Sequence, residues 1–436
     1  HYSGAESHLM LSKIKEKAKQ NPIIVACFRE IFKKRVFSRQ TIAEIRPIRI
    51  QHVDSPVDRI NLLVPSINEA HYFGGINTAV AFFEAIAEKT GSKINYRMIV
   101  TDATPDLIAL KKFENYTPIR ENSPDPDFLV KKRIFCLTDR KNTVLPISPK
   151  DRFLTTAWWT AYGVQENIYR SIGERGRDWH PMGYIIQDFE PGFYNWSSHY
   201  ALAEATYASG APTIAIFNSS FLRDFFNKRG YPFKKAYFFE PKLNSKLKPY
   251  LKEKHSKRKK QIIFYGRPSV ERNCFPIIVE ALRIWSQRQK APERWQLISV
   301  GESHLPVDIG NGLSLTSLGK LSLPDYARLL AESAIGVSLM VSPHPSYPPL
   351  EMAHFGVLTI TNTFENKDLS RSHENITSLS ALTPHELAEA IQKSIQAYEN
   401  NPLCGNNAKS MIPAYINDSP QFTFIDQLLD DWGICV

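Results

Sequence analysis

The chain has 436 residues, 43% of them hydrophobic, and a formal net charge of +10 at pH 7. This length is enough for two domains with buried cores, and the charge favours anionic partners such as phosphates, lipid headgroups or nucleic acid. The five scattered cysteines show no Cys-x-x-Cys or Cys/His spacing, which argues against a disulfide framework or a zinc site.

The first 58 residues are predicted to be a tag remnant followed by a basic helical arm over residues 9–40. Residues 1–50 carry eleven Lys or Arg residues against four Glu. Two interpretations of the arm are open: a helix packed on its own domain, or an amphipathic helix on a membrane surface. Since no run approaches the ~20 apolar residues that span a bilayer, we expect a cytoplasmic protein whose membrane contact, if it has any, is peripheral.

From residue 59 onward the sequence alternates short apolar runs with helical stretches. The run Ile60–Val64, the pair Gly74-Gly75 and the helical stretch Ile76–Lys89 follow one another in the order of a βα unit. This alternation predicts a domain over residues 59–241, built on a parallel sheet that is covered on both faces. Its further predicted strands are Tyr96–Val100, Ile134–Leu137, Phe153–Ala157, Tyr184–Gln187, Thr213–Phe217 and Tyr237–Phe239.

A lysine-rich connector over residues 242–260 separates this domain from a second alternation of the same kind. We predict a second domain over residues 261–415, and a C-terminal helix over residues 416–436 that crosses back to the first domain. The fold class is therefore α/β, with two Rossmann-like domains facing one cleft, where ligands bind at the carboxyl ends of strands. The predicted elements are strands at Gln261–Tyr265, Trp295–Val300 and Ile335–Met340, and helices at Phe275–Gln287 and Leu323–Ser333.

Positively charged side chains follow the predicted strands of the second domain. Arg267 and Arg272 lie on a loop that leads into a helix, and two guanidinium groups at this spacing suit a diphosphate. Lys320 follows a later strand. Each cation alone is more typical of a protein surface, but their shared position after strands indicates an anion site.

A third segment of the second domain, residues 342–351, runs from a strand into a helix. The helix is predicted to begin near Pro348 or Pro349, since proline is well tolerated in a first helical turn. Its N-terminus favours an anion, and Glu351 in its first turn can accept hydrogen bonds from sugar hydroxyls. Phosphate-binding cations beside such a carboxylate predict a site for a nucleotide sugar.

These segments resemble those of a known enzyme family. Gly266-Arg267 with Arg272-Asn273 resembles the Gly-Arg…Lys-Gly element of retaining GT-B glycosyltransferases, those of the family-four type. Gly74-Gly75 resembles their first-loop glycine pair, and residues 342–351 resemble their Glu-x7-Glu stretch. Gln187 to Pro191 with Thr206-Tyr207 is similar to bacterial rhamnan-synthesis enzymes, among them the rhamnosyltransferases of S-layer polyrhamnan. The resemblance covers about residues 59–400.

The resemblance implies a GT-B transferase that needs no metal and no cofactor. It implies transfer of L-rhamnose from the donor dTDP-β-L-rhamnose to a growing rhamnan or other cell-surface glycan, which the basic arm could meet in lipid-linked form. The implied catalytic residues are Arg267, Glu351, Asp188 and Glu190. The implied donor-binding residues are Gly74, Gly75, Gly266, Arg267, Arg272, Lys320, His344, Ser346, Tyr347 and Glu351, and the acceptor-binding residues are Gln187, Asp188, Glu190, Trp158 and Trp159.

The sequence departs from the family pattern at three positions. Pro343 stands where the first Glu of Glu-x7-Glu is expected, so a carboxylate beside the donor sugar is missing. Arg272 stands where Lys is usual, which keeps the charge and adds bidentate capacity. Many relatives carry a histidine at a strand end of their first domain. That position aligns roughly with Gln187 or Asp188 in this chain, so the acceptor side differs from that of the relatives.

Two alternatives are a non-catalytic protein that binds polyanions or glycans, and a GT-B enzyme that uses a UDP- or GDP-sugar. Nucleic acid is disfavoured, because no module for binding it accompanies the basic runs. Asp125-Pro126-Asp127 matches the metal-binding Asp-x-Asp sequence. It lies in a proline-rich loop, which disfavours these two carboxylates as a pair of metal ligands. The absence of a Gly-x-Gly-x-x-Gly sequence after a strand disfavours a nicotinamide dehydrogenase.

Overall fold

The computed structural model describes residues 41–71, 74–118, 128–173, 179–252 and 258–435. It divides into two compact units, residues 1–47 and residues 48–436. Of the first unit, residues 41–47 are described and contain a 3-10 turn, Ala43–Ile45. The predicted helical arm therefore lies outside the described residues, as does the Asp-Pro-Asp sequence.

The N-terminal domain is built on a parallel sheet with the strand order β10-β9-β8-β7-β2-β3-β5-β4. β1 and β6 pair in parallel as a separate two-stranded sheet. Strands β2, β3, β7, β8 and β9 are buried at every position, as expected for strands covered on both faces. The strands are β1 (Arg49–His52), β2 (Arg59–Val64), β3 (Asn95–Val100), β4 (Thr117–Pro118), β5 (Lys132–Cys136), β6 (Val144–Ile147), β7 (Asp151–Thr155), β8 (Met182–Ile186), β9 (Thr213–Phe217) and β10 (Lys235–Phe238).

Local side-chain caps begin several of the helices around this sheet. The Ser197 side chain accepts from Tyr200 N ahead of one helix, and the Ser219 side chain accepts from Leu222 N ahead of the next. The latter helix ends at Gly230, whose φ of 71° is the left-handed conformation of a helix C-terminus. The helices are α1 (Gly74–Thr90), α2 (Leu107–Lys112), α3 (Trp158–Tyr162), which continues into a π-helical segment (Gly163–Tyr169), α4 (Ser198–Ala208) and α5 (Ser220–Arg229).

The C-terminal domain contains a second sheet, with the order β13-β14-β12-β11-β15-β16-β17. Its strands pair in parallel except for β13, which forms an antiparallel hairpin with β14. The strands are β11 (Lys259–Gly266), β12 (Gln296–Gly301), β13 (Val307–Gly310), β14 (Leu313–Ser317), β15 (Ser333–Val337), β16 (Leu358–Asn362) and β17 (Ile376–Leu379). The helices are α6 (Phe275–Arg288), α7 (Leu323–Glu332), α8 (Pro348–His354), α9 (Pro384–Asn400) and α10 (Cys404–Asn407), followed by α11 (Ile425–Asp431).

The last helix, α11, packs on the N-terminal domain. Phe424, Leu428 and Trp432 belong to the same buried cluster as Ile60 and Phe82. The Trp432 indole Nε1 donates to the carbonyl of Pro181 at 2.8 Å, and its own carbonyl accepts from Arg152 Nε at 3.1 Å. The chain therefore returns to the first domain after completing the second.

The α/β class with two Rossmann-like sheets is confirmed. The predicted strand Thr213–Phe217 coincides with β9, and the helix predicted at Phe275–Gln287 is α6 with one residue more. Strand β11 begins at Lys259, inside the predicted connector. Within the described ranges, no helix is both long and apolar enough to cross a bilayer.

Candidate active site

Arg267 follows directly after β11, at the carboxyl end of the second sheet. Gly266, the last residue of that strand, leaves no room for a side chain, because an added Cβ would lie 2.1 Å from Ser299 Oγ. This close approach joins the ends of β11 and β12. It fixes the backbone from which the Arg267 side chain departs.

Glu351 lies in the first turn of α8 and is half-buried. Burial raises the pKa of Glu351 to about 7, and the neighbouring Tyr326 hydroxyl opposes part of this rise. Burial also raises the pKa of Tyr265; Arg267 opposes that rise, and Glu351 adds to it. The charges of Arg267 and Glu351 therefore have opposite effects on the same tyrosine.

The N-terminus of α8 offers fewer donors than the sequence suggested. Pro348 and Pro349 have no N–H, and the Glu351 N–H donates to the Tyr347 carbonyl at 3.0 Å. The helix has only seven residues. Positive charge at this end of the cleft therefore comes mainly from side chains.

Lys320 is exposed and follows Gly319, whose carbonyl accepts from Gly301 N at 2.9 Å. This hydrogen bond ties the loop that carries Lys320 to the end of β12. Lys320 therefore lies at the same edge of the sheet as Arg267. Both were predicted to bind the donor.

His344 is buried in the loop between β15 and α8. Its Nδ1 accepts from Ser346 N at 3.0 Å, so in the neutral ring the proton is on Nε2. Burial lowers the pKa of His344 to about 4, although Asp188 opposes the shift. Ser346 adopts a φ of 69°, uncommon for a residue other than glycine. The loop therefore holds a neutral imidazole donor beside the cleft.

The glycine pair and Tyr347 bring the two domains close together. An added Cβ on Gly74 would lie 3.3 Å from the Tyr347 ring, and one on Gly75 would lie 2.6 Å from Gln187 Oε1. Gln187 Nε2 donates to the Gly75 carbonyl at 2.7 Å. Asn218 Nδ2 donates to the Tyr347 hydroxyl at 3.1 Å. The first loop, the end of β8 and the residue before α8 therefore meet at one place.

Asp188 follows β8 and is in contact with the C-terminal domain. Its Oδ2 accepts from Arg272 Nη1 at 2.5 Å, and its Oδ1 accepts from the Ser342 hydroxyl. Arg272 also stacks on Phe193, with Cζ 4.0 Å from the ring centroid. The structure therefore places Arg272, predicted to bind the donor diphosphate, on a carboxylate of the acceptor side.

Glu190 lies in the core of the N-terminal domain instead of at the cleft surface. Burial raises the pKa of Glu190 to about 8, so the side chain is largely protonated at neutral pH. Its Oε2 accepts from Trp158 N at 2.9 Å, and its own N–H donates to the Tyr207 hydroxyl at 3.3 Å. These bonds connect the end of β8 to α3 and α4.

The two tryptophans predicted to contact the acceptor have different environments. Trp158 is fully buried, and its indole donates to the Tyr194 hydroxyl at 2.9 Å, so its ring is part of the core under the site and cannot contact a sugar. Trp159 is half-buried, and its indole donates to Asp102 at 3.2 Å. Trp196 is 94% exposed on the segment after Glu190. Trp159 and Trp196 are accessible to a sugar ring.

Lys367 is a buried cation that the sequence did not single out. Its Nζ donates to the Met340 carbonyl at 2.8 Å. Burial lowers the pKa of Lys367 to about 7, and the nearby Asp188 opposes this shift. The surrounding sequence, Asn366-Lys367-Asp368, has the composition of an exposed turn.

Several buried polar atoms beside the strand ends have no hydrogen-bond partner among the described residues. The residues that carry these atoms come after β8, β9, β11 and β15. Buried polar groups normally have a hydrogen-bond partner. A polar ligand between the two sheets would satisfy them. They are Gln187 Oε1, Asn218 Oδ1, Asn273 Oδ1 and His344 Nε2.

Comparison with known sequences finds that two domain families match this chain, one after the other. The WsaF N-terminal domain model matches residues 59–220, and the WsaF C-terminal domain model matches residues 260–392. The O-antigen biosynthesis protein RfbC of Myxococcus xanthus is 28% identical over 267 residues, which are 60% of this chain. The match covers 19% of the length of RfbC.

Solved structures share the fold at low sequence identity. Anabaena HepE, in complex with UDP, matches with a TM-score of 0.53 and 13% identity over 86% of this chain and 99% of HepE. The α,α-trehalose 6-phosphate synthase of Burkholderia multivorans matches with a TM-score of 0.53 and 9% identity over 89% and 98% of the two chains. The sucrose-phosphate synthase of Thermosynechococcus elongatus matches with a TM-score of 0.51 and 14% identity, over 86% of this chain and 97% of the synthase. These likenesses establish the GT-B fold.

Proposed function

The chain belongs to the WsaF family of GT-B glycosyltransferases, and from this premise we propose that it transfers L-rhamnose from dTDP-β-L-rhamnose to a growing cell-surface rhamnan. The observation that carries the proposal is the position of Arg267, directly after β11, and of Glu351, in the first turn of α8, both at the strand ends of the second domain. A cation there suits the donor diphosphate. A carboxylate beside it suits the sugar hydroxyls.

Arg267 and Lys320 would provide most of the positive charge around the diphosphate. Charge builds up on the leaving diphosphate as its bond to the sugar breaks, and fixed cations stabilise that charge most in the transition state. His344 Nε2–H adds a neutral donor in the same loop as Glu351. This arrangement needs no metal. In the described part of the chain, no three His, Cys, Asp or Glu side chains gather as ligands for one.

We propose that the sugar is transferred with retention of configuration, because the two carboxyl groups predicted on the acceptor side, Glu190 and Asp188, are both engaged elsewhere. Glu190 is buried and largely protonated at neutral pH, and three hydrogen bonds already occupy Asp188. The acceptor hydroxyl would attack from the face on which the diphosphate leaves. Its proton would pass to the departing phosphate oxygen while the new glycosidic bond forms.

A transfer assay tests the reaction. The protein is incubated with dTDP-rhamnose, with and without a rhamnose-bearing oligosaccharide, and free dTDP and elongated product are measured. We expect dTDP release and product only when the acceptor is present. Binding of the oligosaccharide without release of dTDP would instead support a non-catalytic glycan-binding protein.

The identity of the nucleotide is tested separately, because HepE, a solved structure with this fold, is in complex with UDP. Calorimetric titration with dTDP, UDP and GDP should give the tightest binding for dTDP. Tighter binding of UDP would overturn the rhamnose donor and favour a UDP-sugar. Arg283→Ala, an exposed arginine on α6, is the matched control for arginine removal in these titrations.

We also propose that the enzyme works at the cytoplasmic face of the cell membrane on a lipid-linked acceptor. The basic composition of residues 1–50 supports this location. Co-sedimentation with anionic phospholipid vesicles at low salt tests it. A chain that lacks residues 1–40 is the control, and equal sedimentation of both chains would contradict the proposal.

A further inference from the structure

The ion pair between Arg272 and Asp188 joins the two domains. Arg272 belongs to the turn after β11 in the C-terminal domain, and Asp188 follows β8 in the N-terminal domain. Their side chains are 23% and 14% exposed, and Nη1 lies 2.5 Å from Oδ2. A pair this sheltered is screened far less by solvent and salt than a surface pair.

The second oxygen of Asp188 is also held by the C-terminal domain. Its Oδ1 accepts from the Ser342 hydroxyl and from the N–H of Phe189 at 2.8 Å. An ionised carboxylate has about four acceptor sites, and these contacts use three of them. The remaining site lies on the oxygen that faces Arg272 and can receive one further hydroxyl.

The two residues that hold Asp188 are themselves fixed by one loop. The Arg272 carbonyl accepts from Val341 N at 2.9 Å, next to Ser342. Two side chains hold the start of the same loop: Asn273 Nδ2 donates to the Leu339 carbonyl at 2.9 Å, and Lys367 Nζ donates to the Met340 carbonyl at 2.8 Å. Arg272 and Ser342 therefore form one rigid pair of donors.

We propose that Arg272 and Ser342 are positioning residues that orient the Asp188 carboxylate toward the acceptor hydroxyl. This assignment rests on the proposed glycosyl transfer. It leaves the diphosphate to Arg267 and Lys320. Because the donors belong to one domain and the carboxylate to the other, the acceptor site is complete only when the two domains are in contact.

Nucleotide binding distinguishes this role from a phosphate contact, and needs no turnover. In calorimetry with dTDP, Arg267→Ala should weaken binding about tenfold to a hundredfold. Arg272→Ala and Asp188→Asn should each leave the Kd within about threefold of the wild-type value. Weakening by Arg272→Ala as large as that by Arg267→Ala would overturn the proposal.

Kinetics test the positioning itself. Arg272→Ala and Asp188→Asn should each raise the acceptor KM and lower kcat about tenfold to a hundredfold, with the donor KM unchanged. The double variant should be no worse than either single variant, because the two residues act as one unit. Arg272→Lys, which keeps one charged donor, should recover part of the lost activity. Additive losses, or no rescue by lysine, would contradict the assignment.

A stability cycle gives a readout if the wild-type protein transfers no rhamnose. Denaturant midpoints are measured for the wild type, Arg272→Gln, Asp188→Asn and the double variant, with Arg283→Gln as the surface control. We expect the two midpoint shifts to be non-additive, because each residue loses the same partner. Additive shifts would overturn the pairing, whereas coupling with no turnover would count only against the proposed reaction.

Discussion

The two halves of the cleft present opposite chemistry from equivalent positions in two similar sheets. After its strands, the N-terminal domain places Asp188 and the amide of Gln187 at the cleft. The C-terminal domain places Arg267, Lys320 and other cations there. One architecture therefore provides one half rich in hydrogen-bond acceptors and another half rich in positive charge.

The two halves also differ in how they treat buried charge. Burial in the N-terminal domain raises the pKa of Glu190 to about 8, whereas burial in the C-terminal domain lowers the pKa of Lys367 to about 7 and that of His344 to about 4. Fixed full charge is left mainly on Arg267, Lys320 and the Asp188–Arg272 pair. The cleft thus concentrates its net charge where a diphosphate and a hydroxyl would meet. The following predictions test this division.

The largest expected effect concerns the neutral carboxyl of the N-terminal domain. The folded state raises the pKa of Glu190 from 4.5 to about 8, so it holds a proton that the unfolded chain releases, and stability falls as the pH rises across this interval. In Glu190→Gln this contribution, roughly 3 to 5 kcal/mol, should disappear. Denaturant unfolding at about pH 5 and about pH 9 measures it.

The exposed Glu399→Gln on α9 is the control for this substitution, and its pH dependence should match that of the wild type. A Glu190→Gln variant that loses as much stability as the wild type between the two pH values would show that Glu190 is ionised in the fold. The acceptor half would then carry two buried negative charges.

Removal of the main cation from the donor half is expected to have the next largest effect. Arg267→Ala should lower kcat/KM with dTDP-rhamnose roughly a hundredfold to a thousandfold, because a fixed charge opposite the leaving group is lost. Steady-state kinetics measure this loss, with Arg283→Ala as the control. Equal activity in the two variants would remove Arg267 from the donor site.

A side chain at Gly75 tests how tightly the first loop of the N-terminal half packs against the end of β8, next to the contact between Gly74 and Tyr347. The Cβ of Gly75→Ala would lie 2.6 Å from Gln187 Oε1, so Gln187 must move and its hydrogen bond is lost. We expect a loss of about 2 kcal/mol in unfolding free energy, together with weaker dTDP binding. In Gly192→Ala the new Cβ meets Phe189 only at 3.8 Å, and this variant should behave as the wild type.

The smallest effect is expected for the hydrogen bond between Asn218 and Tyr347. Tyr347→Phe leaves Asn218 Nδ2 without this acceptor, and should cost about 1 kcal/mol of stability. Denaturant midpoints are compared for Tyr347→Phe and for the control Tyr200→Phe, which changes a half-buried tyrosine on α4. The difference between the two midpoints measures the interdomain hydrogen bond. Identical midpoints would indicate that the contact adds nothing to the link between the halves.

Continuous apolar strands made most of the fold predictable from the sequence. β9 and β12 are short runs of Ile, Val, Leu and Phe that end at glycine or polar residues, and such runs identify buried parallel strands. The hairpin of β13 and β14 was overlooked, although its alternating apolar and polar residues flank Asn311-Gly312, a pair that favours a two-residue hairpin turn. It lies at the sheet edge, where little apolar area is covered.

The candidate site was only partly predictable, because charge alone does not reveal a partner. Arg267 was predicted from its position after a strand and Glu351 from its position in the first turn of a helix, and both residues lie at those positions. Arg272 looked like the same kind of cation, and only the fold places it on Asp188. Lys367 was overlooked, since its burial depends on the loop around Met340 and not on its neighbours in sequence.

The return of α11 to the N-terminal domain has a consequence for biosynthesis. Trp432 is fully buried among residues that include Ile60 and Phe82. The N-terminal domain leaves the ribosome before the C-terminal domain, and it therefore cannot finish its core until the chain has been synthesised as far as residue 432. While the second domain is being made, the incomplete first domain exposes an apolar surface that a chaperone can recognise.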